Sequence, residues 1–577
     1  MLKKLLNKWD ILIIFIFFFS MQIANALFIS NTWDERGVID SAGKFIQKLK
    51  ISITNPSSQI LEEFNIVEYY GSFVALPVHL FTIITFKIQS IKEFAIASNY
   101  IINEFDYYFF LRHLALNLYV ILALFITYKL LKKMESKKFA VWFVVFIFLY
   151  PNFSGHALFN FTDIPLALNL FLTSIYFIYL FGDEKFSNPS IKEKILLGFL
   201  ISSCLLIRAT SIIFIAFLVL FRLITYTLTS SKNISSFIKY NVFTFSLSFL
   251  LYFIGTPAMW LHPILYSSKI LSIQFDNPWR GTMLTNGVFV NGSDPTASYL
   301  LTWLTFQTPI IFILFFFVGI KYKKLYKFNL RNYSLFLTVT VLLSHAVLKP
   351  LTYDGLRHYL FLIPFIITIA VYGYFFLYEN ISKKNIWIPF VTLLYLFTTQ
   401  FPFSHYKYAY FNELTPASEI SYYCEEINGC GNWPTDYWGA SGKEMIKLIE
   451  NYNFEPLLAC EPKMSTTLYM DYSKIPIDNF WIFKNNIPVH NETTGFYQYK
   501  LIYSEGHFKD AIKNQKIRKF YALSIHRPEE NNDTCGFFEI SDEYSINCNY
   551  IDSVNRVIRG SKVYFSYLSE CKVDLVN

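Results

Sequence analysis

Residues 11–30, "ILIIFIFFFSMQIANALFIS", run directly into residues 31–40, "NTWDERGVID". The first stretch stays apolar for roughly the 20 residues that a helix needs to cross a bilayer. The second places two adjacent carboxylates, Asp34 and Glu35, at its mouth. The preceding "MLKKLLNKW", with small residues at Ala24 and Ala26, also resembles a secretory signal. The length of the apolar run and the spans that follow it favour a retained first helix.

Comparable runs recur as far as Phe401. With 54% hydrophobic and 16% charged residues among 577, and a mean hydropathy of +0.34, the chain is too apolar for a soluble enzyme. It reads as a polytopic α-helical membrane protein. Spans are expected near 11–29, 108–128, 139–151, 164–181, 195–208, 210–226, 241–258, 299–320, 333–348, 359–378 and 386–401, eleven in all. Polarity then rises, which sets a transmembrane domain over 1–401, including an outer loop at 30–107, and a soluble domain over 402–577.

The formal charge of +8 does not point to nucleic acid, because lysines cluster between spans, as in "KLLKKMESKK" (129–138) and "KYKKLYK" (321–327). If Lys3, Lys4 and Lys8 are cytoplasmic, segments 129–138, 182–194, 227–240, 321–332 and 379–385 face inward and all carry lysine. The outward loop 150–163 carries no Lys or Arg. An odd span count then puts the tail outside the cytoplasm, as expected of a bacterial inner-membrane protein with a periplasmic domain. Within the outer loop, "FVALPVHLFTIITF" (73–86) is too short to span and is expected to lie in the membrane interface.

Six of the seven cysteines, Cys424, Cys430, Cys460, Cys535, Cys548 and Cys571, lie in the tail, and only Cys204 lies in a span. An even set with irregular spacing and no C-x-x-C pair suits disulfides in an oxidising compartment better than zinc. The pairing stays open. Short Tyr/Ile/Phe-rich runs such as "FYQYKLIYS", separated by turn residues, point to a mixed α/β module.

The expected outward face gathers the polar groups. Asp34 and Glu35 follow the first span, Arg112 and His113 open the second, and "YPNFSGHALFNFTDIP" (150–165) holds His156 and Asp163. "KPLTYDGLRHY" (349–359) holds Arg357 and His358. A carboxylate beside a low-dielectric surface gains proton affinity and suits a general base, although two solvated acids at a helix exit are the plainer reading. Arg112 and Arg357 fit either interfacial anchors or phosphate ligands. Arg208, in "LLIRATSII", sits inside an apolar stretch that must cross twice, so its guanidinium needs an anion or a tight turn. His156 and Asp163 suit an acceptor-orienting or divalent-ion role and, equally, a hydrogen-bonded loop. No P-loop, Rossmann or nucleophile-elbow motif occurs, so nucleotide-driven chemistry has no support.

In this order, the Asp-Glu pair, "GHALFNFTDIP", "YDGLRHYLFLIP", "HYKYAYFNEL" and "DYWGASGKE" (436–444) resemble the lipid-linked-sugar glycosyltransferases of the GT-C fold. Within them, the nearest branch is the bacterial relatives of the dolichyl-phosphate-mannose protein mannosyltransferases (family 39-like). One departure is Thr162, where that family carries lysine. The resemblance implies transfer of a sugar from a polyprenyl phosphate to a protein, lipid or glycan acceptor, with inversion. It further implies Asp34 as catalytic base with Glu35 supporting it. Arg112, Arg208, Arg357 and His358 become donor-phosphate ligands, and His156 and Asp163 organise the acceptor loop. No cofactor is obligatory and a divalent metal is optional. The rival reading is a transporter or flippase of lipid-linked substrates, against which stand the lack of an internal repeat and the one-sided polar groups. A receptor or assembly role for the tail is the third.

Overall fold

The computed structural model describes residues 2–29, 32, 35–54, 71–97, 101, 104–182, 189–228, 234–260, 262–275, 281–321, 328–381, 387–422, 430–449, 457–459, 480–482, 487–491, 496–500, 518–526 and 544–575. Helices dominate as far as residue 449. In order they are α1 (Leu2–Ala26), α2 (Glu35–Thr54), α3 (Ser72–Phe86), α4 (Gln89–Ala97), α5 (Glu104–Met134), α6 (Lys137–Phe148), α7 (Pro151–His156), α8 (Asp163–Phe181), α9 (Ile191–Leu205), α10 (Ser211–Leu228), α11 (Ile234–Ile254) and α12 (Pro263–Phe275). After a hairpin of β1 (Thr282–Thr285) and β2 (Val288–Asn291) come α13 (Tyr299–Gln307), α14 (Ile310–Ile320), α15 (Leu330–Leu348), α16 (Ile363–Ile381), α17 (Trp387–Gln400), α18 (Ala417–Ile420) and α19 (Gly442–Ile449).

The centre of the bundle is α8. Its sequence, "DIPLALNLFLTSIYFIYLF", is apolar on every face, and all of its residues except Tyr179 are buried, the burial that an all-round apolar helix demands. Some polar residues inside the bundle pair with one another. Asn169 of α8 accepts a hydrogen bond from Tyr119 of α5 at 2.6 Å. Helices α14 and α16 touch through their backbones: a Cβ at Gly319 would collide with the Ile369 carbonyl, and one at Gly373 with the Phe315 carbonyl. Small residues allow such an approach between membrane helices.

Helix ends are set by local chemistry. Ser136 caps α6 by accepting from Phe139 N at 3.1 Å. Ser190 and Glu193 form a reciprocal capping box on α9, and Asn329 caps α15 through Asn332 N at 2.9 Å. Arg331 donates to the last carbonyls of α14, Gly319 O at 3.0 Å and Ile320 O at 2.6 Å.

Each expected span falls on a helix or a helix pair, but not each is one straight crossing. The run 299–320 bends by 114° between α13 and α14. The bend frees carbonyls at and just beyond the end of α13, and Asn412 covers two of them, donating to Thr305 O at 2.6 Å and Thr308 O at 2.7 Å. Among the described residues, three helices are long and apolar enough to cross a membrane alone, Asp106–Met134, Asp163–Phe181 and Arg357–Asn380. Counting each bent pair as one span raises this to five. The α6, α9 and α17 helices, at 12, 15 and 14 residues, are shorter than the roughly 20 that a crossing needs. Residues 73–86, expected at the interface, form most of α3, whose Val74, Ala75, Val78, His79 and Thr82 are buried. That face packs inside the protein, and α3 and α4 together make a pair bent by 86°.

The tail carries a five-stranded mixed sheet, with β3 (Leu457–Ala459), β4 (Phe480–Ile482), β7 (Lys519–Ile525), β8 (Tyr544–Ile558) and β9 (Ser561–Leu575) in the order β4-β3-β7-β9-β8. A separate hairpin pairs β5 (Ile487–Asn491) with β6 (Phe496–Lys500). β3 runs parallel to β4 and β7, and β9 runs antiparallel to β7 and β8. Arg559 and Gly560, both at positive φ, make the two-residue turn between β8 and β9. That register sets Cys548 opposite Cys571, and the two form a disulfide. Cys430 is also disulfide-bonded, whereas Cys424, Cys460 and Cys535 lie outside the described residues. Cys204 is a buried free thiol.

Candidate functional site

Two buried charge clusters lie among the described residues. The first is built where α2 meets α5. Thr32 and Glu35 have the T-x-x-E spacing of a capping box, and the Glu35 carboxylate accepts from Thr32 N at 2.7 Å and Thr32 Oγ1 at 3.0 Å. The same Oε1 lies 3.0 Å from His113 Nε2. Glu35 Oε2 has no hydrogen-bond partner and stands 4.0 Å from Arg112 Nε. Arg112 is 0% exposed, and all three of its guanidinium nitrogens lack a hydrogen-bond partner. Its charge faces the Phe161 ring at 5.0 Å and the Tyr108 ring at 6.0 Å. Asp34, the expected base, lies outside the described residues.

The second cluster is built on the start of α8. Asn160 accepts from Asp163 N at 2.9 Å and donates to Asp163 Oδ2 at 2.9 Å, which fixes the carboxylate. Arg208, in the turn between α9 and α10, approaches Asp163 Oδ1 at 3.0 Å. Arg357 Nε approaches Asp163 Oδ2 at 3.3 Å, and its Nη1 approaches Asp354 Oδ2 at 3.2 Å. Asp354 and Gly355, at φ of 58° and 70°, form the tight turn of "YDGLR", and Gly355 exchanges hydrogen bonds with the Tyr299 hydroxyl at 3.1 and 3.2 Å. Two arginines thus meet two carboxylates. His358 is turned edge-on to Tyr353, with ring centroids 4.5 Å apart, and its Nε2 has no hydrogen-bond partner.

The tail closes this second cluster. Within "DYWGAS", the Asp436 carboxylate accepts from Ala440 N at 2.8 Å, Ser441 N at 3.0 Å, the Ser441 hydroxyl, and the Tyr408 hydroxyl at 2.6 Å. Burial raises its pKa to about 6 despite these donors. The turn so formed presents Trp438 to the Arg357 guanidinium at 4.4 Å and Tyr437 Oη to His156 Nε2 at 3.2 Å. His156 is wholly buried, and burial pushes its pKa down to about 3, so the ring is neutral. It packs against Phe159, Tyr408 and Trp438.

Helix α19 holds the turn in place from behind. Lys443 pairs with Asp106 of α5 at 2.7 Å. Glu444 pairs with His405 at 2.7 Å and with Arg556 of β8 at 2.6 Å. Burial would raise the Glu444 carboxyl, but His405 and Arg556 outweigh it and hold the pKa at about 2.

Of the sequence candidates, the structure joins Asp163, Arg208 and Arg357 in one ion-paired group and Glu35 with Arg112 in another. His156 belongs to neither. Asp354, Asn160 and Trp438 were not singled out from the sequence, although Asp354 stands three residues before Arg357 in a quoted block. Among the described residues no three His, Cys, Asp or Glu side chains converge as metal ligands would.

No protein-family model matches the chain, and no curated protein matches it. Among solved structures it is similar to ArnT from Cupriavidus metallidurans in the apo state, at 10% identity and a TM-score of 0.47, over 98% of each chain. It is similar to the same protein bound to undecaprenyl phosphate, at 10% identity and a TM-score of 0.45, over 97% of this chain and 98% of that one. An archaeal oligosaccharyltransferase, AglB from Archaeoglobus fulgidus in complex with an inhibitory peptide and a dolichol-phosphate, aligns at 11% identity and a TM-score of 0.42, over 90% of this chain and 70% of that one.

Proposed function

We propose that the protein is a membrane glycosyltransferase that moves a sugar from a polyprenyl-phosphate-linked donor to an acceptor hydroxyl on the extracytoplasmic side. The observation that carries this reading is Arg112: a guanidinium wholly buried, with three unsatisfied nitrogens, beside helix α2, which opens with Glu35. A buried arginine without hydrogen-bond partners is costly unless an anion occupies it in the working state. A phosphate matches its fork of donors.

The chemistry assigns each group a task. As the acceptor oxygen bonds to the anomeric carbon, its proton passes to Asp34, and the bond from that carbon to the phosphate oxygen breaks with its electrons on the phosphate. Arg112 stabilises the charge that develops there. Glu35, occupied by Thr32 and His113, positions the acidic turn. Arg208 and Arg357, already neutralised by Asp163 and Asp354, hold the scaffold.

The test uses purified protein in nanodiscs, a polyprenyl-phosphate-linked sugar and a panel of acceptors. Asp34→Asn should lower transfer by roughly 10²–10⁴-fold, the range for loss of a general base, at unchanged folded yield. Full activity in that variant removes Asp34 from the role, and movement of the lipid across the bilayer without sugar transfer favours the flippase reading.

A further inference from the structure

The end of the bundle opposite the two charge clusters holds another buried arginine. Helix α8 starts at Asp163, and near its other end Phe177 packs on Phe237 of α11 and on Phe328, just before α15. Tyr226 of α10 touches the same Phe237, with ring centroids 5.9 Å apart. Arg222 lies one turn earlier on α10. At 1.5 Å per residue it stands about 17 Å along that helix from Ser211, away from the turn that carries Arg208.

Arg222 is 7% exposed. Its guanidinium lies over the Tyr226 ring at 4.4 Å and over the Phe328 ring at 4.8 Å, and its Nε has no hydrogen-bond partner. Among the described residues, burial and Tyr226 act on its charge and no acid does. Ring faces attract a cation but do not take up the donors in its plane, so a guanidinium kept from water still calls for an oxygen acceptor. Arg331, at the same end of the bundle, has such acceptors in Gly319 O, Ile320 O and Asn332 Oδ1. Arg222 has none of this kind.

Basic residues crowd this end. Lys132 and Lys133 stand in the last turn of α5, with Lys133 over the Tyr179 ring of α8. Lys192 and Lys194 open α9, Lys321 follows α14, and the segment before Phe328 reads "KYKKLYK". The acid of the α9 turn, Glu193, is held by the Ser190 N–H and hydroxyl.

We propose that Arg222 holds the phosphodiester of an anionic phospholipid drawn from the leaflet opposite the candidate site. The guanidinium fork matches two phosphate oxygens, and the surrounding lysines enrich anionic lipid beside it. The Tyr226 and Phe328 rings give the glycerol and first methylenes an apolar wall. A lipid so bound ties α10 to the start of α15. This anion site is separate from Arg112 and does not depend on sugar transfer.

The experiment is native mass spectrometry of the full chain in detergent micelles, titrated with palmitoyl-oleoyl-phosphatidylglycerol, the matching phosphatidylcholine and inorganic phosphate. Phosphatidylglycerol should bind about tenfold more tightly than phosphatidylcholine, the equivalent of ~1.4 kcal/mol, and excess inorganic phosphate should not displace it. Arg222→Met should remove that preference, with an unfolding temperature in phosphatidylcholine nanodiscs equal to that of the unaltered chain. Lys133→Gln and Lys321→Gln should weaken it less, and Arg112→Met should leave it unchanged. A preference that survives Arg222→Met, or that the lysine variants reduce as far, is diffuse attraction to the basic end and overturns the proposal. Displacement by inorganic phosphate assigns the anion to solution and overturns it too, and a lowered unfolding temperature for Arg222→Met in phosphatidylcholine makes the residue structural instead.

Discussion

Arg357 and Arg112 are both buried, at 3% and 0% exposure, yet their surroundings are opposite. Arg357 has carboxylate oxygens at 3.2 and 3.3 Å on two acids and the Trp438 ring over it. Arg112 has one carboxylate at 4.0 Å and no hydrogen bond. Desolvating a guanidinium costs several kcal/mol in either place. At Arg357 the cost is offset within the fold, so that residue serves stability. At Arg112 no hydrogen bond offsets it, and on the proposed function the donor phosphate would. The contrast teaches that charge type and burial do not identify a binding residue; the balance of partners does.

The largest test of this contrast is Arg357→Ala. It removes a guanidinium from Asp354 and leaves Asp163 with Arg208 alone as its cation, and thermal unfolding in nanodiscs should register a loss of about 3–5 kcal/mol. An unfolding temperature equal to wild type would erase the difference between the sites. The half-buried Glu444, paired with His405 and Arg556, gives a reference of known sign. Glu444 titrates at about 2 in the fold against an ordinary 4.5, so its contribution is complete above pH 4.5 and disappears as pH falls towards 2. Stability should decline by roughly 3 kcal/mol across that window, and Glu444→Gln should flatten this decline. For Arg112→Met the unfolding temperature should hold while affinity for undecaprenyl phosphate falls about 100-fold, close to 2.7 kcal/mol. Unchanged affinity would make Arg112 a structural residue like Arg357. Trp438→Ala should cost least, about 1 kcal/mol for a partly desolvated cation–π contact, read in the same unfolding assay.

Much of the fold was legible because apolar length and helix-end chemistry are local. The runs 164–181 and 333–348 lie within α8 and α15, and Ser136, Ser190 and Asn329 mark helix starts by their own side chains. The break at Thr308–Pro309 was hidden in a continuous apolar run, and what stabilises it, Asn412, lies about a hundred residues downstream. The hairpin at Asn286–Gly287 carries a turn signal that the surrounding apolar spans obscured. Arg208 announced a need for an anion through its setting, but nothing local names Asp163 as the partner. Trp438 looks in sequence like any aromatic beside a glycine; its place over Arg357 depends on Asp436 and on contacts between the tail and α5. Disulfide pairing waited on register, which sets Cys548 across from Cys571.

The cover over Arg357 comes from residues 436–438, and the ion pair that anchors it joins Lys443 to Asp106. A ribosome makes these two sides more than three hundred residues apart, with the bundle complete before the cover exists. Until the final quarter of the polypeptide has docked, the Arg357 face stands open beneath it. A chain truncated after α17 would lack both the Trp438 ring over Arg357 and the Lys443–Asp106 pair.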